Sequence, residues 1–171
     1  KIGDSDPAPL FSTIVAPSAQ SKVIGKEKQD LAERHVLRLK FWEGLLERAK
    51  QLGVNLHSNR SPTKYAWLGT GAGKAGLAYN YLIWSEDKSG IELYIDTSDQ
   101  DKNKKIFDAL HEKKSLIEDK FGEQLIWDRL DLKRASRIQF TMSSGGLKSD
   151  ESAWQQIQTE MVEKMSRLHK A

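Results

Sequence analysis

Apolar positions along this chain change their spacing several times, and each change predicts an element. From about Lys26 to Leu52, the apolar residues Leu31, Leu39, Trp42, Leu45, Leu46, Ala49 and Leu52 share one helical face, and Gly53 follows as a stop. The segments YAWLG, GLAYNYLIWS and GIELYID are rich in aromatic and β-branched residues and predict three strands, the last two joined by the turn SEDKSG. A second helix is predicted over SDQDKNKKIFDALHEKKSLIEDKFG. Its apolar side is Ile106, Leu110, Ile117 and Phe121, its first turn is acidic (Asp99, Asp101), and Gly122 closes it. Within it, the run Lys102, Asn103, Lys104 and Lys105 reads as an outer face.

QLIWDRL and ASRIQFTM predict two more strands. In the second, Ile138, Phe140 and Met142 alternate with Arg137, Gln139 and Thr141, the pattern of a half-buried strand. A last helix carries Trp154, Ile157, Met161, Met165 and Leu168 as its stripe, with Ser152 and Gln155 placed as a capping box. The order helix, three strands, helix, two strands, helix, with hairpin-length connections, predicts an α+β fold. Its sheet is largely antiparallel and five-stranded, flanked by three helices, in a single domain over residues 26–171. Residues 1–25 hold Pro7, Pro9 and Pro17 and read as an extended connector, partly docked through Leu10, Phe11, Ile14 and Val15.

Composition narrows the chemistry. The 171 residues include no cysteine, which excludes disulfides, thiol nucleophiles and cysteine-ligated metal sites and is compatible with a reducing cytoplasm, the expected location. No apolar run approaches the roughly 20 residues a membrane helix needs, so no membrane partner is expected. A net charge of +3 is a mild basic excess that permits, without requiring, contact with nucleic acid.

The glycine-rich stretch WLGTGAGKAG invites a phosphate-loop reading, but Ala75 stands where a Walker loop needs Ser or Thr, and the segment leads into a strand rather than a helix. A hairpin connection is the plain expectation. A further reading has its glycine N–H groups and Lys74 meet a nucleic-acid phosphate.

The hairpin Tyr79–Asp96 holds the densest chemistry. With its turn centred on Asp87–Lys88, Leu82 would face Leu93 and Trp84 would face Ile91, and Tyr79, Tyr81, Ile83, Glu92, Tyr94 and Asp96 would share the other side. Tyr79 and Tyr81 would stack bases if that face is open, and would be core residues if a helix covers it. Glu92 and Asp96 are candidate catalytic carboxylates for a nuclease using Mg²⁺, the one cofactor any reading here implies. The element order resembles the core of PD-(D/E)xK restriction endonucleases. Against this, Asn80 stands where an aspartate is wanted, and Glu92-Leu93-Tyr94 lacks the lysine.

Basic residues cluster at Arg60, Lys64 and Lys74, and again at Arg129, Lys133, Arg134 and Arg137. The two groups form one phosphate-binding stripe if they meet, or merely pair with neighbours such as Asp128 and Asp131. The four histidines have no metal-ligand spacing, so no metal site is expected, and no nucleophile-elbow motif is present.

Several strings taken together, FWEGLLERAK, SPTKYAWLGTGAGKAGLAYNYLIW, LIWDRLDLKRASRI and GGLKSD among them, resemble an uncharacterised bacterial and archaeal domain-of-unknown-function family, from about Arg38 to the C-terminus. The resemblance implies a C-terminal module of a longer restriction- or phage-defence-type protein with a nuclease-like N-terminal domain as its partner. Lys1 as an internal start agrees with that. It carries no catalytic residues across. The expectations are a non-catalytic nucleic-acid-binding module, a diverged nuclease, or a docking module. The last would be favoured by an exposed stripe on the terminal helix, which would also suit a homodimer.

Overall fold

A computed structural model describes residues 19–84 and 87–171. The chain forms two compact units, Lys1–Glu33 and Arg34–Ala171. Helix α1 (Ala19–Gln51) contributes to both. It takes up residues 19–25, expected to be extended; residues 1–18 of the predicted connector lie outside the described residues. In the larger unit α1 buries Phe41, Trp42, Leu45 and Ala49, whereas Leu39 and Leu52 of the predicted stripe face solvent, as does Leu31 in the smaller unit. Gly53, at φ 69°, ends the helix in the left-handed region that glycine enters without penalty.

Five strands follow the expected antiparallel plan: β1 (Trp67–Gly71), β2 (Leu77–Ile83), β3 (Ser89–Ile95), β4 (Ile126–Asp128) and β5 (Ser136–Met142). Their spatial order is β1-β2-β3-β5-β4, antiparallel at every pairing. The glycine-rich stretch is the β1–β2 hairpin, with Gly73 and Gly76 at positive φ. A Cβ at Gly76 would lie 2.6 Å from the Thr97 Cα, so backbone approach as well as turn geometry demands glycine there.

The β2–β3 register differs from the sequence expectation. Tyr79 pairs with Leu93, Asn80 with Glu92 and Tyr81 with Ile91. The turn is longer than one centred on Asp87–Lys88, and the odd-numbered slip exchanges faces. Tyr79, Tyr81 and Ile83 therefore share a side with Ile91, Leu93 and Ile95, and part company with Glu92, Tyr94 and Asp96.

The second predicted helix is two, α2 (Gln100–His111) and α3 (Lys114–Phe121). The break falls at Glu112 and Lys113, which are exposed. It lets Phe107 meet Trp127 edge-on and Phe121 meet Phe140. Asp99 caps α2 by accepting from the Lys102 N–H, and Gly122 at φ 89° closes α3. Helix α4 (Glu151–Lys170) starts one residue before Ser152, so the expected capping box does not form.

The α4 stripe, Trp154, Ile157, Met161, Met165 and Leu168, is buried as expected, joined by Val162. It forms the core with α1 and one face of the sheet, where Tyr81, Ile83, Ile91, Ile95, Ile138 and Met142 are buried. That burial removes the exposed stripe on which self-association through α4 would depend. Among the described residues, no helix is long and apolar enough to cross a membrane.

Candidate nucleic-acid interface

Alternation divides the sheet into two unlike faces. Ring contacts between helices and strands fall on one of them: His169 against Tyr79, Phe121 against Phe140, and Phe107 against Trp127. The opposite face carries the cross-strand row Gly69, Asn80, Glu92, Gln139 and Ile126, and beside it the row Gly71, Ala78, Tyr94, Arg137 and Asp128. Its rim is open. Trp67 is 49% exposed, and Ile126 at the other edge is exposed too.

Glycines shape this open face. A Cβ on Gly69 would lie 2.2 Å from the Asn80 Oδ1 and 3.3 Å from the Trp67 ring. At Gly90 it would lie 2.9 Å from both the Phe140 carbonyl oxygen and the Trp84 ring. The missing side chains let the two tryptophans lie down over the strands. Trp67 also stacks on Tyr65 at 5.8 Å, and the Lys64 ammonium lies 5.9 Å from the Tyr65 ring centre.

At the centre, the Asn80 amide donates to the Glu92 carboxylate at 2.8 Å, and Glu92 is 5% exposed. Burial pushes the Glu92 carboxyl above the usual carboxylate range, opposed by the Asn80 hydrogen bond and the nearby Arg137 charge. Asp96 behaves oppositely: Arg134 donates to both of its oxygens, at 2.8 and 2.7 Å, and holds its carboxyl below the usual range. The two carboxylates stand four residues apart, roughly 13 Å along an extended chain, too far to share one ion. Among the described residues, no three of Asp, Glu and His converge as a metal site.

A groove of about 490 Å³ crosses this face, with Arg60, Trp67, Gly69, Asn80, Tyr94 and Asp96 in its walls. A second, of about 340 Å³, is lined by Tyr94, Asp96, Lys133, Arg134 and Arg137, and shares Tyr94 and Asp96 as wall residues with the first.

The structure therefore brings Arg60 into one groove with Trp67, and Lys133, Arg134 and Arg137 into the other. Lys64 sits at the β1 edge beside Tyr65, and Lys74 at the exposed hairpin tip. Three of the predicted arginines are committed to ion pairs: Arg134 with Asp96, Arg137 with Asp128 at 2.8 Å, and Arg129 with Asp108 and Asp131. Arg60, Lys74 and Lys133 have no carboxylate partner among the described residues.

Tyr79 and Tyr81 are not available for stacking. Tyr81 is fully buried with its ring 4.5 Å from that of His57, and Tyr79 is half-buried against α4. The register slip places them on the covered face. Among the described residues, the aromatic groups on the other face include Trp67, Trp84 and Tyr94; the expected register set Trp84 and Tyr94 on opposite sides, and the observed one brings them together.

Lys104 also departs from expectation. It is 7% exposed, not on an outer face, and its three ammonium N–H groups are shared among four oxygens, the carbonyls of Arg129 (2.6 Å), Leu130 (3.0 Å) and Ala135 (2.8 Å) and the Ser136 hydroxyl (3.0 Å). Asn103 is buried beside it and donates to the Arg134 carbonyl. Together they clamp the β4–β5 loop that carries Lys133 and Arg134.

The fold defines an α+β domain with a five-stranded antiparallel sheet whose helices, among the described residues, pack on one face. The family model for the domain of unknown function DUF4268 matches residues 37–171, and the chain belongs to that family. No curated protein and no solved structure matches the chain.

Proposed function

We propose that this domain is a non-catalytic module that binds nucleic acid across the open sheet face. The observation that carries this reading is the pair of grooves that share Tyr94 and Asp96, one holding Trp67 and Arg60 and the other Lys133, two cations with no carboxylate partner among the described residues. Aromatic rings offer stacking surfaces to any base, and flanking cations neutralise phosphates and release counterions. Lys64 and Lys74 extend the cationic edge. Arg134 and Arg137, already paired, orient the groove wall more than they add charge. The family resemblance supplies the setting: the C-terminal part of a restriction- or defence-type protein, where such a module would hold nucleic acid for a nuclease-like partner domain.

Fluorescence anisotropy with labelled duplex and single-stranded probes at two salt concentrations tests the reading. The chain is expected to bind with affinity that falls as salt rises. The double variant Lys74→Glu, Lys133→Glu, which breaks no ion pair, should bind roughly tenfold more weakly on every sequence. Trp67→Ala should lose most of its affinity for the single strand alone. Failure of the chain to bind any probe, or unchanged affinity in the double variant, would sink the reading.

A further inference from the structure

The β4–β5 loop presents Leu132 with 101% of its surface exposed, at the apex of a segment whose carbonyls are almost all spoken for. Lys104 takes those of Arg129, Leu130 and Ala135, Gln100 donates to that of Asp131 at 3.0 Å, and Asn103 donates to that of Arg134 at 3.1 Å. Leu130 adopts φ 56°, a left-handed conformation unfavourable for a leucine, and the Lys133 N–H closes a turn on its carbonyl at 2.8 Å. Single exposed leucines are ordinary. A fully exposed one on a strained loop fixed from below by three side chains of α2 is a different matter, because the fold spends a buried lysine on holding it out.

We propose that Leu132 is an apolar wedge that enters the base stack of a bound duplex. The inference rests on the nucleic-acid reading above and adds how the loop engages its partner. Short apolar side chains act this way at partly unstacked base steps when neighbouring cations hold the backbone. Here Lys133 adjoins Leu132 and has no carboxylate partner among the described residues, while the adjacent Asp131 is neutralised by Arg129. Arg134 and Arg137 line the groove immediately behind. Lys133 beside the leucine favours a phosphate-flanked base step over the apolar pocket of a protein. The clamped loop gives up little conformational freedom on insertion.

The test uses the whole chain with a DNA duplex carrying 2-aminopurine, an adenine analogue whose fluorescence rises when it is unstacked, and an anisotropy label on the same duplex. The wild-type chain should bind and raise 2-aminopurine fluorescence several-fold. Leu132→Ala, at a fully exposed position, should keep its circular dichroism, bind within about tenfold of wild type, and leave the fluorescence at its free value; Leu132→Phe should restore the rise. Binding by the wild type with no rise, or an equal rise with Leu132→Ala, overturns the wedge while leaving the nucleic-acid reading standing. The second of these outcomes would point Leu132 toward a protein pocket. No anisotropy change with the wild type overturns both.

Discussion

Replacing Lys104 with methionine is expected to destabilise the domain by about 3 kcal/mol and to lower its melting temperature by roughly 10 °C. Methionine keeps the stem of the side chain and removes only the ammonium. Three hydrogen bonds from a charged donor to backbone carbonyls are lost: the Arg129 carbonyl keeps the Ser136 hydroxyl at 2.7 Å and the Leu130 carbonyl keeps the Lys133 N–H at 2.8 Å, while the buried Ala135 carbonyl is left without its donor. One buried acceptor without a donor costs about 1–3 kcal/mol, and the hydrogen bonds lost from the charged donor at the part-buried carbonyls add to it. Lys105→Met, one residue on and exposed, should change stability by less than about 0.5 kcal/mol. Chemical denaturation of both variants checks this. Equal midpoints would show that the clamp contributes nothing. A large loss at Lys104 with a wild-type slope would place its worth in the folded loop.

The same four-residue run shows what the sequence could and could not disclose. Lys102, Asn103, Lys104 and Lys105 look alike as letters, and charge alone assigns them all to solvent. Helical geometry turns two of them inward, and only the tertiary position of the β4–β5 loop supplies the oxygens that make burial tolerable. Alternation in Ile138, Phe140 and Met142 was a sufficient guide to which side of β5 is core, because each apolar residue costs free energy on the wet side whatever its partners. In the β2–β3 hairpin, Ile91, Leu93 and Ile95 alternate with Glu92, Tyr94 and Asp96 as plainly, but β2 is aromatic or apolar on both sides. Which side of β2 joins the apolar side of β3, and with it the fate of Tyr79 and Tyr81, therefore depended on a turn longer than its letters indicate. The antiparallel five-stranded plan was legible from hairpin-length connections. The break between α2 and α3 was not, since Glu112 and Lys113 are acceptable helix residues and the interruption comes from packing Phe107 and Phe121 against different partners.

Acidification from pH 7.5 to pH 5 should cost the fold about 2 kcal/mol through His57 alone. The ring is 1% exposed and its Nε2 lies 3.1 Å from the Tyr79 carbonyl oxygen. A carbonyl only accepts, so Nε2 carries the hydrogen and Nδ1 is left as a bare lone pair, buried without a partner. A second proton on Nδ1 would be an unpaired charge in the interior. Burial therefore lowers the pKa to about 4, with the Arg60 charge adding to the effect and the Tyr79 hydrogen bond opposing it. In the unfolded chain the same group titrates near 6.5. Above about pH 7 neither state holds the proton, and His57 leaves stability unchanged. As pH falls through 6.5 the unfolded chain takes up a proton that the folded chain refuses, so stability drops until the folded pKa is reached, by about 3 kcal/mol in all. Glu92 works in the opposite direction at lower pH, because its raised pKa makes the folded state the better proton acceptor. The contribution of His57 is isolated by comparison with His57→Gln, whose amide can still donate to the Tyr79 carbonyl but cannot titrate. Denaturant midpoints measured across this range should fall for the wild type and stay nearly level for the variant. Parallel curves would mean that the ring finds a proton acceptor in the folded chain, and that the Nδ1 pocket is wetter than its burial implies.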